Sequence, residues 1–433
     1  MSAAPIAVPA PPVWRPATRA ALRFCVVYFG LYILLTQMLT SLLFVTTNDS
    51  GAFEVDMTSP FRAAITWVAA HVFHVAQPLV TVETGSGDRR YDWIELACIA
   101  VLAVAGTLVW TLLDRKRSSY PRLFCWFHLC ARFALGATLL TYGAVKIFPL
   151  QMPYPSLLRL LEPFGHFSPM GVLWASIGAA PAYEIFAGCA EFVAGTMLLF
   201  PRTATLGALL ALADAAQVFM LNMTYDVPVK LLSFHMIPLA LLVLAPDGRR
   251  LATALLSSRP APPSPARALF ATARANRWAL AAQAAFALYL IGGNVYMSAS
   301  VPARAKSPLY GIWEVQSFAL DGVVHPPLLT DTARWRRVVF DSPAAMIVQT
   351  MDDTARGYPA AINLSNHSIA LSKPGDKNWR ATFTLTQPAP MDLELAGAMN
   401  GHRIAASLRL FDRSSLQLVR RGFHWIQDRP YNR

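Results

Sequence analysis

Seven long apolar runs constrain what this chain can fold into more than any other feature of its sequence. A helix that rises ~1.5 Å per residue needs about 20 apolar residues to cross a hydrocarbon core ~30 Å thick. The chain is 55% hydrophobic and only 14% charged, whereas an ordinary soluble protein has roughly 25% charged residues. The sequence therefore predicts an integral membrane protein. The predicted spans cover about residues 24–46, 93–113, 124–148, 172–200, 204–223, 227–244 and 278–297.

Composition excludes several other classes of protein. The high hydrophobic content argues against a disordered chain, and 5 cysteines in 433 residues exclude a disulfide scaffold. The formal net charge of +12 does not predict nucleic-acid binding, because the arginines fall between the apolar runs. Two shorter segments, residues 61–75 and 156–164, are predicted to be short helices at the membrane surface.

Basic residues in the loops predict the orientation of the spans. Cytoplasmic loops of membrane proteins are enriched in Lys and Arg. One set of loops contains four basic residues, Arg62, Arg89, Arg90 and Arg159. The opposite set contains fourteen, namely Arg15, Arg19, Arg23, Arg115, Lys116, Arg117, Arg122, Arg202, Arg249, Arg250, Arg259, Arg267, Arg274 and Arg277. We therefore expect a multi-pass protein of the bacterial inner membrane with a cytoplasmic N-terminus and an extracytoplasmic, periplasmic C-terminal domain.

The C-terminal third has a different pattern from the rest of the chain. From Ser307 onward, short alternating segments are separated by turn residues, which is typical of an antiparallel sheet or barrel. Asp321-Gly322 and Asn400-Gly401 are strong signals for two-residue hairpin turns. We expect one small closed barrel of eight to ten strands. Its predicted strands are residues 311–320, 335–341, 345–350, 360–364, 368–371, 381–386, 393–398, 403–410, 416–419 and 423–427.

The predicted fold class is an α-helical membrane protein with about seven spans and a C-terminal, all-β antiparallel barrel. Its predicted divisions follow the apolar runs and the proline-rich linker at 259–267. They are an N-terminal part (1–120), a four-helix bundle (121–246), a cytoplasmic linker (247–276), a seventh span (277–300) and the barrel (301–433).

Ionisable side chains are concentrated in the third to sixth spans. Each is costly in lipid, so we expect it to pair with another charge or to face a water-filled cavity. Arg132 and Glu191, both nearer the cytoplasmic side, are predicted to form a structural ion pair in a group with Asp214. The other polar residues of these spans are predicted to line a cavity that opens outward, namely Lys146, Glu184, Asn222, Tyr225, Asp226, Lys230 and His235.

These cavity residues are the candidate site. Glu184 and His235 are the leading candidates for proton transfer, because burial and neighbouring charges tune both. Lys146 and Lys230 are further catalytic candidates, and the candidate cofactor-binding residues are Asn222, Tyr225 and Asp226. In the alternative interpretation, the charges only hold the bundle together. The His and Cys spacings predict no metal site.

A set of motifs in these spans resembles the DoxX-like membrane family. It comprises R-x3-G-x6-G-x2-K, starting at Arg132 and ending at Lys146, then Glu191 and Gly195 in the fourth span, and D-x-P-V-K-L-L-S from Asp226. The resemblance covers about residues 132–245. It implies a four-helix membrane bundle linked to quinone-coupled sulfur oxidation and membrane redox complexes.

The barrel segment resembles the lipocalin-type (calycin) barrel. A G-x-W motif, Gly311 to Trp313, stands in the first predicted strand, and Arg420 and Arg421 stand near the last. The resemblance implies a tryptophan that closes one barrel end, a late arginine packed across it, and an interior that holds one small apolar ligand. In the alternative, the barrel is filled by its own side chains.

The leading functional hypothesis is therefore a membrane redox component that handles a quinone or another small apolar molecule. The expected partners are the lipid bilayer and a redox partner subunit. One alternative is a non-enzymatic protein that binds or transports a lipid or other apolar ligand with its barrel. Another is a scaffold for a separate redox subunit.

Overall fold

Apolar helices form most of the chain up to residue 301. The structure is a computed structural model that describes residues 13–43, 50–75, 79–81, 84–262 and 268–432, with only the backbone described for 50–60. Seven of the described helices are long and apolar enough to span a membrane, which confirms the predicted number of spans. The helices are α1 (Pro16–Leu35), α2 (Gln37–Leu43), α3 (Ser50–His71), α4 (Arg90–Leu113), α5 (Pro121–Ile147), α6 (Pro169–Gly178), α7 (Pro181–Leu199), α8 (Ala204–Thr224), α9 (Lys230–Leu244), α10 (Gly248–Leu256), α11 (Ala273–Ala299) and the short α12 (Gln417–Arg420).

Two predicted spans are interrupted. The first run breaks at Thr36, whose backbone is extended, so that α1 and α2 are separate helices. The predicted run 172–200 is divided into α6 and α7 at Pro181. A proline lacks the N–H of a continuing helix and clashes with the preceding turn, but it is well accommodated in the first turn of a new helix. The predicted end of the first run at Thr46 and the linker residues 263–267 lie outside the described residues.

The chain divides into two compact units. The first contains the spanning helices, and within it α5, α7, α8 and α9 pack against one another in a ring, since α5 contacts both α7 and α9 while α8 contacts the same two helices. Helix α5 is the most deeply buried of these spans. The core of this unit is built from leucine, alanine and aromatic side chains of α1, α5, α7, α8 and α9.

Glycines bring α5 and α7 into close contact. A Cβ atom on Gly143 would lie 2.7 Å from the backbone N of Phe192, and one on Gly188 would lie 2.7 Å from Cβ of Lys146. Further along the same pair of helices, a Cβ on Gly195 would lie 2.8 Å from the carbonyl oxygen of Gly136. Small residues permit this backbone approach, which favours helix association in membranes. The glycines of the Arg132–Lys146 motif therefore set the distance between these two helices.

The second unit contains a closed antiparallel barrel. Eight strands follow one another around it, and β1 closes the ring by pairing with both β3 and β9. The strands are β1 (Gly311–Leu320), β2 (Val323–Val324), β3 (Trp335–Phe340), β4 (Ala345–Thr350), β5 (Ala355–Asn363), β6 (Ser368–Lys373), β7 (Asp376–Ala389), β8 (Asp392–Met399) and β9 (His402–Leu410). The short β2 pairs only with the end of β1.

The barrel confirms both predicted hairpin turns. Asp321 and Gly322 have φ angles of 52° and 87°, and Asn400 and Gly401 have 52° and 88°. Both turns require positive φ at two successive residues, which Asp-Gly and Asn-Gly adopt readily. Inward-facing tryptophan, phenylalanine and aliphatic side chains fill the interior.

The last two predicted strands are wrong. Residues Gln417–Arg420 form α12, and residues 423–427 are in neither strand nor helix. The physical reason is that β1 already has hydrogen-bonded neighbours on both sides, so the closed barrel offers no free edge to a further strand.

The segment 156–164 also differs from its prediction. Instead of one helix, it contains a short 3-10 turn, Arg159–Leu161, and a second 3-10 turn, Phe164–His166, begins at its last residue. Residues Tyr154–Phe167 belong to the same compact unit as the barrel. Leu157 is buried there against Ile312 and Val339. This leucine therefore packs in the core of the barrel's unit.

Replacing Gly143 by alanine is expected to destabilise the helical unit by about 1–3 kcal/mol, because the new methyl group would overlap the backbone of Phe192. Thermal unfolding in detergent measures this change. The control is Gly292→Ala in α11, where an added Cβ atom would have no heavy atom within 4 Å. Equal unfolding temperatures for both variants would contradict the role assigned to the glycine contact.

The barrel is expected to lose stability in acid through Asp331. The hydrogen bond from His325 Nδ1, at 2.6 Å, and the N–H groups of Ala333 and Arg334 lower the pKa of this carboxyl group. Its stabilisation is therefore present above the unfolded-state pKa of about 3.9 and is lost as pH falls toward the lower folded-state pKa. Asp331→Asn should flatten the fall in denaturant midpoint below about pH 4. An identical pH dependence in both proteins would contradict this.

Candidate functional site

A cavity of about 260 Å³ lies among α5, α6, α7, α8 and α9. Its walls are largely apolar, and one part of its lining is charged. The apolar lining includes Leu139, Met152, Met170, Leu173, Trp174, Ile177, Val218, Leu221, Leu232 and Met236. The polar lining includes Tyr142, Lys146, Gln151, Glu184, Glu191, Asp214, Gln217, Asn222 and Ser233.

A buried ion pair joins Lys146 of α5 to Glu191 of α7. The Lys146 ammonium group donates to Glu191 Oε1, and the two residues are only 8% and 3% exposed. The close contact at Gly143 and Gly188 places these side chains opposite each other. Both are among the predicted residues, but the predicted partner of Glu191 was Arg132.

Arg132 is bonded elsewhere. Its Nη2 atom donates to Gln283 Oε1 of α11 at 2.8 Å and to the carbonyl oxygen of Leu199 at 3.4 Å. The antiparallel packing of α5 and α7 aligns Arg132 with the end of α7, whereas Glu191 lies beside Lys146. Glu191 is level with Lys146 rather than with Arg132, and this is why the predicted pairing differs from the observed one.

Two more carboxyl groups face the cavity with incomplete hydrogen bonding. Glu184, in the first turn of α7, is 1% exposed, and its Oε1 accepts from the N–H of Met152 at 2.9 Å. Glu184 Oε2, Glu191 Oε2 and Asp214 Oδ2 are buried without a hydrogen-bond partner among the described residues. Unsatisfied buried oxygens are costly, so these groups are the part of the lining best suited to a ligand or to proton exchange.

Of the polar residues predicted to line the cavity near the end of α8 and the start of α9, the structure places one in the described lining and three outside it. Asn222 lines the cavity, and its Nδ2 donates to Ser233 Oγ at 3.0 Å and to the carbonyl oxygen of Val229 at 3.2 Å. Tyr225, Asp226 and Lys230 are not among the described lining residues.

Lys230 is held outside the cavity by two acids. Its ammonium group lies 2.9 Å from the exposed Asp226 and 3.7 Å from Asp88. Asp88 also accepts the backbone N–H groups of Lys230 and Leu231, at 2.8 and 2.9 Å, and so caps the start of α9. Asp88 was not predicted, because it precedes α4 and is brought to α9 only by the tertiary fold.

His235 is buried but belongs to a different set of contacts. Its Nδ1 is 2.6 Å from the carbonyl oxygen of Leu231, and its Nε2 is 2.8 Å from the Tyr28 hydroxyl group. Its ring stacks on Tyr32 with centroids 3.9 Å apart. Both ring nitrogens are therefore occupied by helix contacts, and the histidine lies outside the described cavity lining.

Sequence reasoning missed Tyr142. This residue lines the cavity one helical turn before Lys146, and its hydroxyl donates to Gln37 Oε1 at 3.0 Å. The i, i+4 spacing from Tyr142 to Lys146 is the signal that could have found it. Tyr142 also lines a second cavity of about 230 Å³, whose polar lining includes Arg62, Tyr91 and the buried Glu95.

The predicted barrel residues are in two separate environments. Trp313 is 2% exposed, and its Nε1 donates to the carbonyl oxygen of Leu309 at 2.9 Å. Gly311 packs against Leu410, whose side chain occupies the space that a Cβ atom on residue 311 would need. Arg420 and Arg421 lie at and beside α12, where they contact Gln417 and Gln427.

A different arginine is buried in the barrel. Arg334 is 2% exposed and donates to the carbonyl oxygens of His325, Trp335 and Val315 at 2.9–3.2 Å. It precedes β3 and satisfies carbonyl oxygens that closure of the barrel buries. No sequence pattern indicated this role, because the three oxygens come from separate parts of the chain.

The helical cavity combines the chemical features of a small-molecule site. Ligand pockets are mostly apolar, with a few polar groups that orient the ligand. Here one ammonium group and three carboxyl groups lie in the lining of one apolar cavity. This arrangement can hold an apolar ring with a polar edge and exchange protons with it.

The chain is similar to the uncharacterized protein YwoB of Bacillus subtilis (strain 168). The two are 33% identical over 143 residues, which is 31% of this chain and 80% of YwoB. No protein-family model matches the chain. No solved structure matches it.

Lys146→Met is expected to destabilise the helical unit by ~3–5 kcal/mol, because it leaves Glu191 buried without its cation. Adding Glu191→Gln should recover part of this loss. Thermal unfolding in detergent compares the two single variants with the double variant. If the double variant loses the sum of the two single losses, then the ion pair is not the source of the effect.

Proposed function

This chain belongs to the family of the Bacillus subtilis protein YwoB, and we propose that it binds a small quinone-class molecule in its helical cavity as a component of membrane redox chemistry. The observation that supports the proposal is the coexistence of apolar walls and the Lys146–Glu191 pair in one cavity. A quinone has an apolar ring and two carbonyl oxygens, and its redox chemistry involves proton exchange. Bilayer quinones also reach a membrane protein from the lipid.

The size of the cavity supports a ring-sized ligand. Its volume of about 260 Å³ is slightly smaller than the ~300–1,000 Å³ found for pockets that hold drug-sized ligands. A quinone headgroup fits such a volume better than a whole lipid. In this proposal Trp174 and Met236 contact the ring, while Lys146 donates to a carbonyl oxygen. Glu184 and Asp214 exchange protons, and electrons come from a redox partner subunit.

We further propose that the helical unit is a DoxX-like bundle, that the barrel is a lipocalin-like domain, and that the N-terminus is cytoplasmic. The ring of α5, α7, α8 and α9 supports a DoxX-like bundle, and the closed eight-stranded barrel supports a lipocalin-like domain. The excess of basic residues in one set of loops supports a cytoplasmic N-terminus in a bacterial inner membrane. Seven crossings would place the α5–α6 loop and the barrel on the same, extracytoplasmic side. Residues Tyr154–Phe167 of that loop belong to the barrel's compact unit, in agreement with this topology.

A second candidate function is ligand binding by the barrel. A pocket of about 380 Å³ has a mixed lining. Its apolar side includes Trp335, Tyr358 and Met399, and its polar side includes Thr332, Thr350, Asp352, Thr354 and Arg356. Tyr358 stacks on Trp379 with centroids 5.0 Å apart. Trp335 and Tyr358 beside these polar groups support capture of a small ligand with an apolar face, without any catalysis in the bundle.

Filling the helical cavity is expected to weaken quinone binding. Ala187 lines the cavity, whereas Ala190, on the same helix, is exposed. Duroquinone binding is measured by equilibrium titration of the full chain in nanodiscs, with empty nanodiscs as the baseline for partitioning. Ala187→Phe should weaken binding by about tenfold or more, since the added ring occupies the ligand's volume. The matched control Ala190→Phe should bind as the unaltered protein does.

Two results would contradict the proposal. One is duroquinone uptake no greater than that of empty nanodiscs. The other is equal affinity in the unaltered protein, Ala187→Phe and Ala190→Phe. Binding abolished only by Met399→Trp, which fills the barrel pocket, would favour the second candidate function.

A further inference from the structure

The end of the chain presents large apolar side chains to solvent. In the loop formed by residues 421–431, which we call the tail loop, Phe423, Trp425 and Ile426 are 76%, 91% and 84% exposed. Phe423 and Trp425 contact each other edge to face, with ring centroids 5.0 Å apart. Neighbouring exposed apolar residues of this size mark an interaction surface rather than ordinary surface composition.

The tail loop is held in place by contacts at its base. Arg421 Nη2 donates to Gln427 Oε1 at 3.0 Å, and the Arg421 guanidinium group lies 4.6 Å from the ring centroid of Tyr431. The Tyr431 hydroxyl donates to Gln417 Oε1 of α12 at 2.7 Å. These contacts join the two ends of the loop, so the apolar side chains between them are presented together.

Positive charge surrounds the exposed apolar group. Arg420, Arg421 and Arg429 flank it, while Asp428 is the one acid between residues 417 and 432. Aromatic residues beside arginines favour the interface of a bilayer, where rings enter the headgroup layer and cations contact anionic lipids. An apolar protein partner would not require this rim of cations.

The bilayer is within reach of the barrel. Residues 300–310 connect the end of α11 at Ala299 to the start of β1 at Gly311. Eleven residues at ~3.3–3.6 Å each extend at most about 40 Å. Because this tether keeps the barrel near the membrane, even a weak interfacial contact is favoured by effective concentration.

We propose that the tail loop docks the barrel onto the bilayer surface, with Phe423, Trp425 and Ile426 in the headgroup layer and the flanking arginines on anionic lipids. This contact is independent of the ligand proposed for the helical cavity. It would limit the motion of the barrel relative to the membrane plane.

Spin-label accessibility tests this docking in the full chain. The five cysteines, Cys25, Cys98, Cys125, Cys130 and Cys189, are replaced by serine, and Ile426→Cys provides the labelling site while Trp425 stays in place. Asn366→Cys, in an exposed barrel turn, is the matched control. The protein is reconstituted in nanodiscs that contain phosphatidylglycerol, and collisions with oxygen and with an aqueous nickel chelate are compared.

The label at 426 should collide more often with oxygen and less often with the chelate than the label at 366. Adding Trp425→Ser and Phe423→Ser should return it to the values of the control. Equal chelate access at 426 and 366 would overturn the proposal. Exclusion of both reagents from 426 would also overturn it, since it would place the tail loop against protein rather than lipid.

Discussion

The close glycine contact between α5 and α7 is the constraint on which the helical unit depends. Gly143 and Gly188 allow the two backbones to approach so closely that a methyl group does not fit. That approach brings Lys146 to Glu191, and the resulting ion pair makes two charges tolerable in apolar surroundings. A wider helix spacing would leave both charges without partners, so packing and electrostatics stabilise the same geometry.

The cavity follows from a second local feature, the break before α7. Pro181 starts a new helix, and Glu184 therefore lies in its first turn, beside the N–H of Met152. In one continuous helix, no helix would begin at this point, and Glu184 would not lie in a first turn. The break also separates α6 from α7, so that apolar residues of α6 can cover the cavity from one side. Irregular backbone is tolerated inside a membrane protein where it is buried or lines a cavity.

Sequence patterns predicted those parts of the fold that depend on local chemistry. Apolar run length predicted the spans, and Asp321-Gly322 and Asn400-Gly401 predicted two hairpins that the structure contains. Run length alone did not predict the division between α6 and α7, since both helices are apolar, although Pro181 is a sequence signal for it. The two extra strands were predicted from the alternation of apolar and polar residues alone. That pattern contains no information on whether the earlier strands have already closed the barrel.

The candidate site was predictable by residue type more than by pairing. Ionisable residues in apolar spans identified Lys146 and Glu184, which line the cavity as predicted. Asp214 and Glu191 were predicted only as members of a structural ion-pair group, yet both also line the cavity. His235 was included for the same reason, yet its contacts with Tyr28 and Leu231 place it elsewhere. Residue type is readable from sequence, whereas the level at which two helices align and the rotation of each helix depend on the neighbouring helices.

The most direct test of the proposed cavity is mass spectrometry of the small molecules that copurify with the protein from native membranes. We predict that the unaltered chain and Ala190→Phe retain the same quinone-class molecule, and that Ala187→Phe loses it. An identical set of molecules from all three proteins would contradict the proposal that this cavity is the binding site.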